Sequence, residues 1–146
     1  MSTTVKLAKH FPVLLNELKS IISPLYSGTF IDCTFGQGGY SKEILKNKNN
    51  IVLAIDRDLE TKSFAKILED KFGQRFKFRN LKFSKIDNLQ FQRDNLKAII
   101  FDLGYSLGQV KDLSRGISFN SNTKLNMKMG LNKFSADEVI NKMSEK

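Results

Sequence analysis

The stretch that decides the fold is Thr29-Phe30-Ile31-Asp32-Cys33-Thr34-Phe35-Gly36-Gln37-Gly38-Gly39-Tyr40-Ser41. Three β-forming residues, Thr29 to Ile31, run into Asp32, a glycine-loaded turn follows, and a helical pattern (Lys42 to Lys46) begins after Ser41. A strand, a Gly-rich turn and a helix start together place a nucleotide-like ligand at the carboxyl edge of a parallel sheet. Without Cβ atoms, Gly36, Gly38 and Gly39 can take positive φ and let the backbone come close to a ligand. A lone glycine cluster also fits an ordinary strand-to-helix turn, so the rest of the chain has to decide.

Working outward, the same alternation recurs. Upstream, Pro12 suits a first helical turn, and Leu14, Leu15, Leu18, Ile21 and Ile22 follow as one apolar stripe. Ser23-Pro24 ends that helix and Gly28 turns the chain into the first strand. Downstream, a short helix turns Ile44 and Leu45 inward, and Asn47 to Asn50 make a polar turn. Ile51 to Ile55 is a continuous apolar run, as expected of a strand covered on both faces, and it ends in Asp56. Phe64, Ile67, Leu68 and Phe72 keep helical spacing up to Gly73. Arg75 to Arg79 alternates charge with Phe76 and Phe78, a half-exposed third strand, and Leu96 to Phe101 is a fourth, ending in Asp102. The pattern predicts a doubly wound α/β sheet with aspartates at its ligand-binding edge. After Tyr105 it stops: residues 105–134 read as a long loop, and Ser135-Ala136-Asp137-Glu138 as a capped helix start.

Composition narrows the class. A chain of 146 residues suits one domain with a real core, and 40% hydrophobic with 27% charged residues reads as soluble and globular. The formal charge of +9 suggests a polyanionic partner. Cys33 is the only cysteine, so no intrachain disulfide or cysteine zinc site is available, and its position at a strand end suggests a buried small residue rather than a nucleophile. No metal site is expected. His10, the only histidine, reads as a local hydrogen-bonding residue rather than a catalyst. The first twenty residues lack an apolar signal core and the first arginine is Arg57, so the expected location is the cytoplasm, without a membrane span.

Asp56 lies seventeen residues beyond Gly39 at the end of the second strand. A carboxylate there accepts hydrogen bonds from the ribose hydroxyls of an adenosine-containing cofactor, leaving NAD or S-adenosylmethionine. The loop does not match the three-glycine dinucleotide fingerprint, and it offers no lysine or arginine to a pyrophosphate. A cofactor with a sulfonium and a free amino group fits better between Asp32 and Asp102. Tyr105 stands three residues past Asp102, where nucleobase amino-methyltransferases often carry an aromatic residue, though the two prolines usual there are absent. Tyr105 is a candidate base-stacking platform and Asp102 a candidate to orient the amine; a surface or core role for Tyr105 stays open.

Six collinear segments then stand out: His10 to Leu15, Asp32 to Ser41, Ala54 to Asp58, Asp102 to Ser106, Arg115 to Phe119 and Leu125 to Met129. Together they resemble the MraW/RsmH family, bacterial enzymes that methylate a cytosine N4 in 16S ribosomal RNA. The resemblance implies a Rossmann-like S-adenosylmethionine-dependent methyltransferase fold, here an incomplete parallel sheet of about four strands. It also implies cofactor contacts at Gly38, Gly39, Tyr40, Asp56, Phe83, Asp102 and Gln109, with Phe83 against the adenine; a plain core role for Phe83 is the alternative. The implied partner is 16S ribosomal RNA in the small ribosomal subunit.

The departures are specific. The family usually carries histidine at Tyr40, Ser-Ser-Pro-Gln at Ser106 to Gln109, and aspartate at Asn126. Its members are considerably longer, with a helical domain inserted into the cofactor domain. On that basis residues 1–104 would form the first part of the cofactor domain and 105–146 a loop with the start of the insertion. The fourth strand would then keep an open edge, suited to self-association or to a complementary chain. A truncated homologue that binds S-adenosylmethionine or RNA without catalysis on its own is the alternative function. Residues 71–97 hold eight basic and two acidic residues among Phe72, Phe76, Phe78, Phe83 and Phe91. They read either as an RNA-tracking surface or as the wet face of a core strand.

Overall fold

The computed structural model describes residues 12–25, 27–142 and 144. Its elements are α1 (Leu15–Ile22), β1 (Gly28–Asp32), α2 (Gly39–Ile44), β2 (Asn50–Asp56), α3 (Thr61–Phe72), β3 (Phe76–Asn80), β4 (Leu96–Ile100), α4 (Leu107–Lys111) and α5 (Ala136–Lys142). Short 3-10 turns cover Gly73–Arg75, Phe83–Asn88, Arg93–Asn95 and Leu113–Arg115. The four strands form one parallel sheet in the order β3-β2-β1-β4, the α/β arrangement expected from the sequence.

β1 is the central strand. All five of its residues are buried, because β2 and β4 flank it and both faces are covered. Phe30 pairs with Val52 and Ala98, and Ile31 with Leu53 and Ile99. Alternation sends Phe30, Val52, Ala54, Phe76 and Ile100 to one cluster with Ile22, Phe35, Ile44, Leu45, Ala65 and Leu68 from the helices and the loop. Fully burying a side chain such as Phe30 stabilises by about 2–3 kcal/mol. Ile31, Cys33, Leu53 and Ile55 form a second cluster on the other face, covered by Leu81, Ile86, Leu89, Phe91 and Leu96.

The helical stripes are narrower than their spacing suggests. In α1, Leu15 and Leu18 pack on the core and Ile22 is buried, whereas Ile21 is exposed. Leu14 is outside the helix, as an N-cap with φ of 53° and an exposed side chain. In α3 the inward positions are Thr61, Phe64, Ala65, Leu68 and Phe72; Ile67 points to solvent. Ala65 takes the inward position because the stripe runs along 61, 65, 68 and 72, one step off Ile67. α2 starts at Gly39, three residues before the expected Lys42, since Asp32 holds the hydroxyl of Ser41 at 2.7 Å and fixes the first turn.

Arg75 is structural. Its Nη1 donates to the carbonyls of Leu45, Asn47 and Asn50 at 3.1–3.4 Å, and its guanidinium lies over the Phe72 ring. Phe76 is buried and Phe72, Phe78 and Phe91 pack on the core clusters, so most aromatics of the basic stretch serve the interior.

The chain divides into two compact units, one of Phe11–Leu103 and one that includes Gly104–Lys146. Within the second, part of the expected loop is helical. Ser106 and Gln109 form a reciprocal capping box that starts α4. Ser135 and Glu138 do the same for α5, as their spacing predicts. Asn126 accepts the Ala136 N–H through its carbonyl at 3.0 Å.

Candidate functional site

The carboxyl ends of β1, β2 and β4 meet in one network. Cys33 N–H donates to the Ile100 carbonyl at 2.9 Å and Phe35 N–H to the Ile55 carbonyl at 3.1 Å, so the residues after β1 are stitched to both neighbouring strands. Thr34 accepts the Asp102 N–H on its hydroxyl at 2.7 Å. This bond fixes how the chain leaves β4.

The three aspartates at this edge have different tasks. Asp32 is fully buried, accepting from Ser41 Oγ at 2.7 Å and from Thr34 N–H at 3.3 Å. Burial pushes its carboxyl up to about 6 against those two hydrogen bonds. Asp32 therefore braces the loop. Asp56 is partly buried and accepts Gly36 N–H on Oδ2 and Asp58 N–H on Oδ1, each at 2.8 Å. The Arg57 backbone also bonds to this carboxylate, whose two oxygens with about four lone-pair sites keep acceptor capacity beyond these bonds. Burial raises its carboxyl above the ordinary range despite those bonds. It is thus a carboxylate that gains from further donors. Asp102 is half-buried and accepts Tyr40 Oη–H on Oδ2 at 3.2 Å.

The glycines divide similarly. Gly38 has φ of 77°, and a Cβ there would come within 2.7 Å of the Phe35 ring. A Cβ at Gly39 would fall on the Pro12 ring. Both positions are demanded by the protein's own packing. Gly36 has φ of 53° with open space around it, so of the three loop glycines it is the one with bare backbone.

The structure brings Gly38, Gly39, Tyr40, Asp56, Phe83 and Asp102 into the unit built on the sheet. Phe83 opens the turn after β3, two-fifths exposed, with its ring edge-to-face on Phe101 at 5.7 Å. Leu81 N–H donates to the Asp56 carbonyl at 2.9 Å, which ties that turn to the end of β2. Tyr105 and Gln109 belong to the second unit, where Tyr105 is exposed and the Gln109 side chain accepts the Ser106 N–H at 2.9 Å. His10 lies outside the described residues. Thr34, Ser41 and Asn80 were not legible as site residues. Asn80 donates to the Asp56 carbonyl at 2.8 Å, and the only signal for it was its place at the end of a strand. Cys33 is buried and its thiol is pushed up to about 11, as a structural cysteine's should be. No group of metal-ligating side chains and no helix long and apolar enough to cross a membrane occurs among the described residues.

The profile of the MraW methylase family matches residues 7–146. The chain is 40% identical over 136 residues to the ribosomal RNA small subunit methyltransferase H of Orientia tsutsugamushi (strain Ikeda), covering 93% of this chain and 44% of that protein. It is 41% identical over 140 residues to the protein of that name from Ehrlichia ruminantium (strain Welgevonden), covering 93% and 46%. The Rickettsia massiliae (strain Mtu5) protein is 37% identical over 137 residues, covering 94% and 44%. The chain thus spans about half the length of the curated relatives it matches.

Proposed function

Because the chain belongs to the MraW methylase family, we propose that it is the cofactor-binding part of a methyltransferase acting on small-subunit ribosomal RNA. The reaction is methylation of the exocyclic N4 amine of a cytosine in 16S ribosomal RNA, with S-adenosylmethionine as donor, in the cytoplasm. One observation supports this reading above the others. A partly buried carboxylate at the end of β2, Asp56, holds the glycine loop through Gly36 N–H and still has capacity for donors. Ribose hydroxyls are such donors, and the bare backbone at Gly36 leaves room beside them.

S-adenosylmethionine supplies an electrophilic methyl group when bound. Asp56 accepts the ribose hydroxyls, Gly36 to Tyr40 line the loop, and Phe83 offers an exposed ring to the adenine. Asp102 accepts N–H groups of an amine at the end of β4. An exocyclic cytosine amine is a poor nucleophile because its lone pair is delocalised into the ring. An acceptor that holds its protons favours a more tetrahedral nitrogen and fixes its direction. The role of Tyr105 as a base platform rests on its place three residues past Asp102, and that of Gln109 as a further cofactor contact on the family resemblance.

The test is calorimetry with S-adenosylmethionine, followed by methyl transfer to small ribosomal subunits. Binding that falls at least tenfold in Asp56→Ala is expected; binding unchanged by that substitution would exclude the ribose assignment. Methylation that survives Tyr105→Ala at wild-type rate would exclude the base platform.

A second reading concerns activity, and the exposure along β4 favours it. β4 ends the sheet, with Ile99 42% and Phe101 48% exposed. In this reading the chain binds cofactor or RNA, and methylates only when further polypeptide pairs with β4. Cofactor binding without methyl transfer, restored by adding the remaining portion of a relative, is the result that separates it from the first.

A further inference from the structure

The hydroxyl of Tyr40 stands between two acceptors and has one proton to give. The Val13 carbonyl lies 2.5 Å away and Asp102 Oδ2 3.2 Å. The ring is buried. Burial and the Asp102 charge push the phenol up to about 12, so it remains a donor at any physiological pH. Val13 belongs to the short segment 12–14 ahead of α1, and the way this segment is held is unusual. The Val13 and Leu14 side chains are 61% and 67% exposed, so apolar burial does not fix it. Leu14 also adopts the left-handed conformation, which leucine takes only under constraint. Two contacts to the loop are available: Pro12 seated where Gly39 has no Cβ, and the Tyr40 hydroxyl on the Val13 carbonyl.

We propose that Tyr40 is a positioning residue that couples Asp102 to this segment through its single proton, so that a primary amine or ammonium bound at Asp102 tightens segment 12–14 over the glycine loop. When the proton lies on Val13, the Tyr40 oxygen turns lone pairs toward Asp102. Two acceptor oxygens 3.2 Å apart then face an incoming N–H group, which bridges them. When no amine is present, Asp102 competes for the proton and the segment loses part of its tether. The side chain of Tyr40 thus acts through Asp102 and Val13 and need not touch the cofactor. The ligand half of this proposal rests on Asp102 as a contact for the free amino group of the cofactor, the role that the family resemblance implies; the sharing of the proton does not.

Hydrogen exchange across residues 13–20 tests both halves. Without ligand, Tyr40→Phe should speed exchange there about fivefold, an ordinary coupling magnitude. Asp102→Ala, which removes the competing acceptor, should slow it, and the double variant should behave as Tyr40→Phe alone. An unchanged rate in Asp102→Ala, or simple additivity in the double variant, would overturn the coupling. With saturating S-adenosylhomocysteine, which carries the same amino-acid group, the wild type should slow further while Tyr40→Phe binds but shows no slowing. Equal slowing in both would overturn the proposal. Absence of binding heat in the wild type would instead overturn the cofactor reading, and the ligand-free variants would still decide the coupling.

Discussion

The two faces of one sheet are finished to different degrees. On the face toward α1, α2 and α3, Phe30, Val52, Ala54 and Phe76 are at most 2% exposed from β1 across to β3. On the other face, Ile31 and Ile55 are equally buried beneath the turns after β3, but Ile99 in β4 is 42% exposed and Phe101 beyond it 48%. Ile31 and Ile99 are paired neighbours in the same sheet. Their difference shows that the identity of a residue in a parallel strand does not decide its burial; what lies above it does. The edge that holds Asp32, Asp56 and Asp102 borders the finished side, while β4 presents apolar surface at Ile99 and Phe101.

The strongest way to break this comparison is to truncate one residue on each side. Phe30→Ala should cost about 3–5 kcal/mol, and Ile99→Ala under about 1 kcal/mol, because only the first leaves a cavity. Urea denaturation measures both, and equal costs would mean that the second face is closed in solution.

The next effect is a pH dependence on the finished side. The Asp32 carboxyl is pushed up from 3.8 to about 6 by burial. The folded chain therefore keeps a proton that the unfolded chain has lost, and the Asp32 contribution to stability falls as pH rises from about 4 to about 6. At neutral pH the penalty is on the order of 3 kcal/mol. An Asn amide can still donate to Ser41 Oγ and accept the Thr34 N–H. Asp32→Asn should thus gain on the wild type between pH 4 and pH 7 in thermal melts. A difference between the two that is flat with pH would contradict the assignment.

A smaller contrast lies within the loop. Gly38→Ala forces a Cβ against Phe35 as well as a positive φ, whereas Gly36→Ala meets only the second. The first should cost about 1–3 kcal/mol and the second about 1 kcal/mol. On the proposed cofactor reading, Gly36→Ala should nonetheless weaken S-adenosylmethionine binding more than its stability cost suggests, because a Cβ would fill the open space there. The smallest change is Ile99→Lys, within about 0.5 kcal/mol of wild-type stability. Its readout is light scattering at high concentration, where any self-association through β4 should diminish.

Much of this was legible because local signals agree. β-Forming runs ending in Asp32, Asp56 and Asp102 predict the sheet, and the glycines at 36 to 39 predict the turn between β1 and α2. Misplacements arose where a distant atom overrode spacing. Ile67 and Ile21 have helical periodicity but stand one position off the stripe that the sheet accepts. The start of α2 is set by Asp32 through Ser41, although Gly39 is a weak helix former. Part of the stretch after Tyr105 read as loop, yet Ser106-Leu107-Gly108-Gln109 carries a capping-box signature that announced α4. Thr34 could not be read at all, since its partner Asp102 is 68 residues away and no local pattern connects them.

Cys33 makes the sheet edge self-reporting. It is the only thiol in the chain, it is buried, and its N–H ties β1 to β4 through Ile100. A thiol reagent can reach it only when the cluster that buries it opens, so labelling becomes a clock that counts openings of that face beside the sheet edge. Any molecule that closes the edge should slow that clock, and it can be found without assuming what chemistry the edge performs.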